Sequence, residues 1–183
     1  MHTRKMVTMI VAVVLMFSVG IADDFKAEQP ILITAAGQSA DVLMVKVLAK
    51  KSGLDYIVEK LAKPSDLENA KSLIIVSGGS TKGLGAAKID KNDELERIEG
   101  LIAAANKKEI PIITMHVGGK ARRGKLSDEF NLIAAEAGSY LVVVEGGNGD
   151  GFFSGIAEKN EVPIIIIKKI IHVQSVLTDI FGE

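Results

Sequence analysis

Leu73-Ile74-Ile75-Val76-Ser77, running straight into Gly78-Gly79-Ser80, is the stretch on which the fold turns. Its apolar residues follow one another without polar alternation. A strand with one wet face alternates, whereas a strand covered on both faces does not. Burial on both faces is the condition of a parallel sheet flanked by helices. The same texture recurs on either side, at Ile31–Ala35, Ile112–His116, Leu141–Glu145 and Val162–Ile167, with a weaker sixth candidate at Asp55–Val58. Pro111 and Pro163 stand at strand starts, where a missing N–H is tolerated.

Between these runs lie amphipathic stretches with helical spacing: Ala40–Lys51, Asp93–Asn106, Asp128–Ala137, Gly151–Lys159 and Val173–Phe181, with a short helix at Pro64–Asn69. Ala40–Lys51 places Val42, Leu43, Val45, Val47 and Leu48 on a broad apolar face and has Gly53 at its C-terminal end. Asp128 and Glu129 sit in a first turn, where they complement the helix dipole. Strands alternating with helices predict one α/β domain from residue 30 to 183. It is a three-layer sandwich around a mainly parallel sheet of about six strands, of Rossmann or flavodoxin type, with right-handed crossovers. The pattern leaves the strand order open.

The bulk composition removes several classes of function. Lys plus Arg is 22 against Asp plus Glu 23, two tyrosines are present and tryptophan is absent. That is neither a basic surface for nucleic acid nor a set of stacking platforms for single strands. With no cysteine, disulfides, thiolate metal sites and a cysteine nucleophile are excluded. The amino terminus reads as an export signal. His2-Thr3-Arg4-Lys5 is basic, Met6 to Ile21 is uncharged and mostly apolar, and Gly20-Ile21-Ala22 offers small residues for a cut before Asp23. The apolar run is about four residues short of the roughly 20 that span a bilayer. Residues 1–22 are therefore expected to be a signal peptide and 23–29 a short polar tether. The protein is expected to be periplasmic or extracellular, with a membrane link only if the signal is uncleaved.

Parallel sheets of this kind bind ligands beyond the carboxyl ends of their strands, so the loops after the strands carry the candidates. The first strand leads to Gly37-Gln38-Ser39. There Ser39 is either a helix cap or, with Gln38 and the helix amino terminus, part of an anion site. A nucleophilic Ser39 lacks the Gly-x-Ser-x-Gly elbow. Gly78 to Asp90 reads as a long mobile loop in which Thr81, Lys82 and backbone N–H groups could wrap an anion. Gly78 and Gly83 have Walker spacing, but Leu84 and Gly85 stand where Lys and Ser or Thr belong. Gly83-Leu84-Gly85 also fails the dinucleotide fingerprint, because Lys88 occupies the third glycine position.

His116, at a strand end, is a candidate general acid or base. Arg122 and Arg123 are candidate forks for carboxylate or phosphate, or else pair with Asp128 and Glu129. Glu145, Asn148 and Asp150 are oxygen donors without EF-hand spacing; Asp150 also reads as a helix cap, and no metal or cofactor is predicted. Of Phe152 and Phe153, one is expected in the core and one over the pocket. His2 and His172 have no local partner that suggests zinc.

Gly37-Gln38-Ser39, Gly83-Leu84-Gly85-Ala86-Ala87-Lys88-Ile89-Asp90, Ala121-Arg122-Arg123-Gly124 and Gly149-Asp150-Gly151-Phe152-Phe153 resemble the signatures of a family of exported bacterial proteins of unknown function. The resemblance runs from Pro30 to the end of the chain. It implies a secreted Rossmann-like domain and carries no activity or catalytic residue. The expectation is thus an extracytoplasmic module for a small anionic molecule, contacted by Gln38, Ser39, Thr81, Lys82, Arg122, Arg123, Asn148 and Asp150. The alternatives are a hydrolase or transferase using His116 with Ser39 or Glu145, and a domain that reads a protein partner without a small ligand. Oligomeric state is left open.

Overall fold

The structure, a computed structural model, describes residues 25–182. The expected signal peptide at residues 1–22, with His2, lies outside the described residues. Six strands form one sheet: β1 (Ile31–Ala36), β2 (Tyr56–Val58), β3 (Ser72–Ser77), β4 (Ile112–His116), β5 (Tyr140–Val144) and β6 (Ile164–Ile167). All pairings are parallel and the spatial order is β2-β1-β3-β4-β5-β6. This is the flavodoxin-like order extended by one strand. The helices are α1 (Asp41–Lys51), α2 (Thr81–Ala87), α3 (Lys91–Lys107), α4 (Lys125–Ala137), α5 (Phe152–Asn160) and α6 (Val173–Phe181). Residues Pro64–Leu67 form a 3-10 turn rather than an α-helix.

Successive strand residues point to opposite faces, and both faces are dry. Ile31, Ile33, Ile74, Val76, Ile113, Met115 and Val142 meet Val42, Val45 and Leu48 of α1 and Val176, Leu177 and Ile180 of α6. Their neighbours Leu32, Leu73, Ile75 and Ile112 meet Ile98 and Leu101 of α3 and Phe130 and Ala134 of α4. Leu141 and Val143 meet Phe153 and Ile156 of α5. The unbroken apolar strands follow from this double cover. Truncating either fully buried phenylalanine, Phe130 or Phe153, should cost about 3–5 kcal/mol.

Two local expectations need correction. The stretch after β3 is not an open loop. Ser80 caps α2, its Oγ accepting the Gly83 N–H at 3.1 Å. Lys88 then turns left-handed, and Asp90 caps α3 by accepting from the Asn92 and Asp93 N–H groups. Gly83 and Gly85 disfavour a helix by propensity, but the Ser80 cap at its start and the left-handed Lys88 at its close fix its ends. Residues 25–29 are not a free tether either. Phe25 stacks on Tyr140 with ring centroids 4.9 Å apart, and the Ala27 N–H donates to Ile180 O at 3.1 Å. The Asp55 N–H donates to Gln29 Oε1 at 2.6 Å. Among the described residues no helix is long and apolar enough to cross a membrane.

Candidate functional site

The chain reverses its direction across the sheet between β1 and β3, and the crevice there is where this fold ordinarily takes a ligand. Here it is stitched shut. Gln38 and Gly79 form an antiparallel bridge, and the Ser80 N–H donates to Gly37 O at 2.8 Å. Gly37 has φ +92°, and a Cβ on it would fall 2.7 Å from the Phe130 ring and 2.8 Å from Gly78 O. Only glycine lets the two loops meet so closely.

Beneath the stitch lies a buried polar cluster that sequence reading missed. Gln38, expected to face a ligand, turns inward and is 3 % exposed. Its Nε2 donates to Lys60 O and to Glu94 Oε1, both at 3.0 Å. Glu94 on α3 is fully buried; it accepts from the Gly37 N–H at 2.9 Å and from Arg97 Nε at 2.8 Å. Arg97 also donates to Ala35 O and Ala62 O. One ion pair thus ties α3 to the end of β1 and to the chain after β2. Gln38 Oε1 and Ser77 Oγ are buried without a partner among the described residues.

Ser39, Asp41 and Arg122 form a second closed set. Ser39 is 1 % exposed. Its hydroxyl donates to Asp41 Oδ2 at 2.5 Å and accepts from the Asp41 N–H at 3.1 Å. Ala40, not Ser39, occupies the cap position of α1. Arg122 Nε donates to the same Asp41 oxygen at 3.2 Å, and Arg122 Nη1 reaches Gly79 O at 3.4 Å.

His116 is fully buried, against the expectation of an accessible acid or base. Nδ1 lies 3.2 Å from Asn131 Oδ1 and Nε2 lies 3.1 Å from Gly119 O. The ring packs on Phe153 at 4.7 Å, and a side chain at Gly147 would collide with it. Burial pushes its pKa below the ordinary value, outweighing the raising effects of Gly119 and Asn131. Neither Ser39 nor Glu145 is among its partners. Glu145 is exposed and makes no side-chain hydrogen bond among the described residues. The three candidate catalytic residues therefore do not assemble.

Arg123 is the centre of the open part of this edge. Its side chain is 14 % exposed and lies over the Phe152 ring, 4.4 Å from the centroid. Nη1 and Nη2 donate to the two Asp150 oxygens at 2.9 and 2.8 Å, and Nε donates to Asp128 Oδ1 at 2.7 Å. These bonds, Asp150 first, raise the guanidinium above its ordinary pKa. Asp150 is held well below the carboxylate range, mainly by Arg123 and then by the Phe152 N–H. Burial works to raise Asp128, but its bonds from Arg123, Asn131 and the Gly124 N–H together outweigh that and lower it. Lys120, Arg123, Gly124, Asp128, Gly146, Gly149 and Asp150 line a cavity of about 490 Å³ between the loops after β4 and β5.

The remaining candidates scatter. Thr81 and Lys82 are exposed on the first turn of α2. Asn148 secures the start of α5, its Oδ1 accepting from the Phe153 and Ser154 N–H groups at 2.9 and 3.1 Å. Asp150 both caps, accepting from the Phe152 N–H at 3.2 Å, and binds Arg123. Glu129, a candidate partner for the arginines, pairs instead with Lys91 at 2.7 Å. Phe153 is the core ring and Phe152 the half-buried one. Among the described residues no cluster of three or more metal-ligating side chains occurs.

Comparisons with known proteins add a family and a broad likeness. A family model described as "Domain of unknown function (DUF6305)" matches residues 28–181. No curated protein sequence matches. Among solved structures, a GDSL-like lipase from Bacteroides thetaiotaomicron is 10 % identical. The likeness covers 80 % of this chain and 70 % of that one, with a TM-score of 0.37. The SGNH-hydrolase family esterase AlinE4 is 12 % identical over 75 % of this chain and 76 % of its own, with a TM-score of 0.29. Likeness at this level carries no argument about activity.

Proposed function

The chain belongs to the DUF6305 family, whose description assigns no activity, and we propose that it is an extracytoplasmic binding domain. Its ligand is a small anion taken in the cavity between the loops after β4 and β5. One observation carries the reading. A nearly buried guanidinium, Arg123, faces this cavity, backed by Phe152 and by Asp128, and its outer partner Asp150 is 61 % exposed. Asp150 is itself a carboxylate bonded bidentately to the fork, so it marks the geometry an incoming carboxylate or phosphate would adopt. Lys120, exposed beside it, makes no ion pair among the described residues and adds a second positive charge.

Of the other predicted contacts, Gln38, Ser39, Arg122 and Asn148 are consumed by internal bonds, and the exposed Thr81 and Lys82 do not line this cavity. Export rests on the sequence of residues 1–22. The residues named for the hydrolase or transferase alternative are not brought together, since both His116 nitrogens face Asn131 and Gly119 rather than Ser39 or Glu145. A larger cavity of about 630 Å³ opens at the opposite edge of the sheet. Its charged residues are all exposed, and ligands of this fold are not taken at that edge.

A thermal-shift series of carboxylates and phosphates on the wild type and on Lys120→Ala tests the proposal. A ligand at 100 times its Kd adds roughly 2.7 kcal/mol of stability. Loss of the shift in Lys120→Ala supports the site. No shift with any anion, or one equal in Lys120→Ala, overturns it.

A further inference from the structure

α1 is apolar on two sides. Val42, Val45, Leu48 and Ala49 face the sheet, yet Leu43, Met44 and Val47 point outward and are 48, 47 and 46 % exposed. Spaced i, i+1 and i+4, they make one stripe along the helix. Ile171, just before α6 in the same layer, is 49 % exposed. Elsewhere among the described residues the exposed large apolar side chains stand singly, Leu132 on α4 and Ile57 and Ile166 on the two edge strands β2 and β6. Three neighbouring apolar side chains on one helix face form a contiguous patch rather than scattered exposure, and such a patch marks a contact surface.

The charges around the stripe select the occupant. Lys46, Lys50 and Lys51 are exposed on α1 and make no ion pair among the described residues. The one acid of α1, Asp41, is engaged by Ser39 and Arg122. Lys168 and Lys169, also exposed, flank Ile171 from its amino-terminal side. A second copy packed symmetrically on the stripe would bring two sets of these lysines together, which like-charge repulsion opposes. An anionic lipid surface meets the apolar stripe with its acyl boundary and the lysines with its headgroups, and long lysine stems suit that boundary. The chain also enters the domain on this side. Phe25 packs with Tyr140 into the core shared by α1 and α6, and the uncharged run Met6–Ile21 lies a few residues ahead of it.

We propose that the outward face of α1, through Leu43, Met44, Val47 and the surrounding lysines, rests on an anionic membrane surface. This lays the α1–α6 layer against the bilayer and holds the sheet's ligand edge beside it.

The chain has no cysteine, so Met44→Cys carries a single environment-sensitive fluorophore without further changes. The full chain is reconstituted into vesicles of phosphatidylcholine alone, or of phosphatidylcholine with phosphatidylglycerol. The expected result is a blue shift and protection from iodide only with phosphatidylglycerol. The shift should be reversed by 1 M salt, where the screening length falls to about 3 Å, and lost in Lys46→Glu/Lys50→Glu/Lys51→Glu. The same label at Leu132→Cys should not respond. An unchanged Met44→Cys signal in both vesicles overturns the proposal. So does a shift that appears without lipid and rises with protein concentration, which would assign the face to a second copy. A thermal melt of the triple variant in solution confirms that it folds. If it does not, Leu43→Ser/Val47→Ser, which keeps the lysines, must lose the shift for the proposal to stand.

Discussion

His116 Nδ1 faces Asn131 Oδ1 at 3.2 Å, and the direction of that amide is fixed from its other end. Asn131 Nδ2 donates to Arg122 O at 3.0 Å and to Asp128 Oδ1 at 3.1 Å, so its oxygen must point to the ring. Gly119 O, the partner at Nε2, is also an acceptor. A neutral imidazole donates to only one of them. The fold thus holds a histidine between two oxygens while burial disfavours the proton that would satisfy both.

This sets a pH dependence. The folded pKa of His116 is lowered, so the unfolded chain binds the proton more readily. Stability is full above the ordinary histidine value of about 6.5 and falls as pH drops below it. Asp128 and Asp150, whose pKa values are lowered, contribute stability above the carboxylate range and lose it at lower pH still. Thermal melts between pH 8 and 3 should fall in two stages. His116→Gln should flatten the first stage and His172→Gln should leave it in place.

The buried pair under the Gln38–Gly79 stitch should be costly to halve. Arg97→Met leaves the Glu94 carboxylate buried with only the Gly37 N–H and the Gln38 amide. Breaking such a pair costs about 3–5 kcal/mol. Glu94→Leu/Arg97→Met removes the stranded charge and should be more stable than Arg97→Met alone. Urea unfolding of the two variants checks both statements, and equal midpoints would contradict them.

Asp150 occupies the fork that the ligand needs. Asp150→Asn should therefore tighten binding of a simple carboxylate by roughly two- to fivefold, the scale of an exposed ion pair. Isothermal titration reads this directly. Weaker binding in the variant would mean that Asp150 holds Arg123 in place rather than competing for it.

Two glycines should respond oppositely to alanine. At Gly37 the φ of +92° and the contacts with Phe130 and Gly78 leave no room, and Gly37→Ala should cost at least about 2 kcal/mol. At Gly100, inside α3, an added Cβ meets nothing within 4 Å, and Gly100→Ala should stabilise by about 0.5–1 kcal/mol. Chemical unfolding of both measures the contrast.

Sheet and helices were legible because double-sided burial leaves a mark on the strands: Leu73–Ser77 and Ile112–His116 are mainly apolar with no polar alternation and sit where expected. α2 was not legible, because Gly83 and Gly85 mimic a loop while the Ser80 cap and the left-handed Lys88 decide the matter. At the site, Arg123 and Asp150 were visible as chemistry, but nothing local indicates that they bind each other across 27 positions. Glu94 and Arg97 look like an ordinary i,i+3 surface pair; only the tertiary approach of α3 to β1 buries them. Asp41, two residues after Ser39, was the nearest missed signal, since a serine hydroxyl so placed favours a local turn bond.

The Ala27–Ile180 hydrogen bond has a mechanical consequence. It clips the incoming chain to the last turn of α6 before that chain reaches β1. Tension applied ahead of Phe25, as on a protein held by its leading segment, meets this clip and the Phe25–Tyr140 stack first. The strand pairings of β1 lie behind them. The sheet, and the Arg123 cavity at its far edge, therefore stay unloaded until that clip and stack give way.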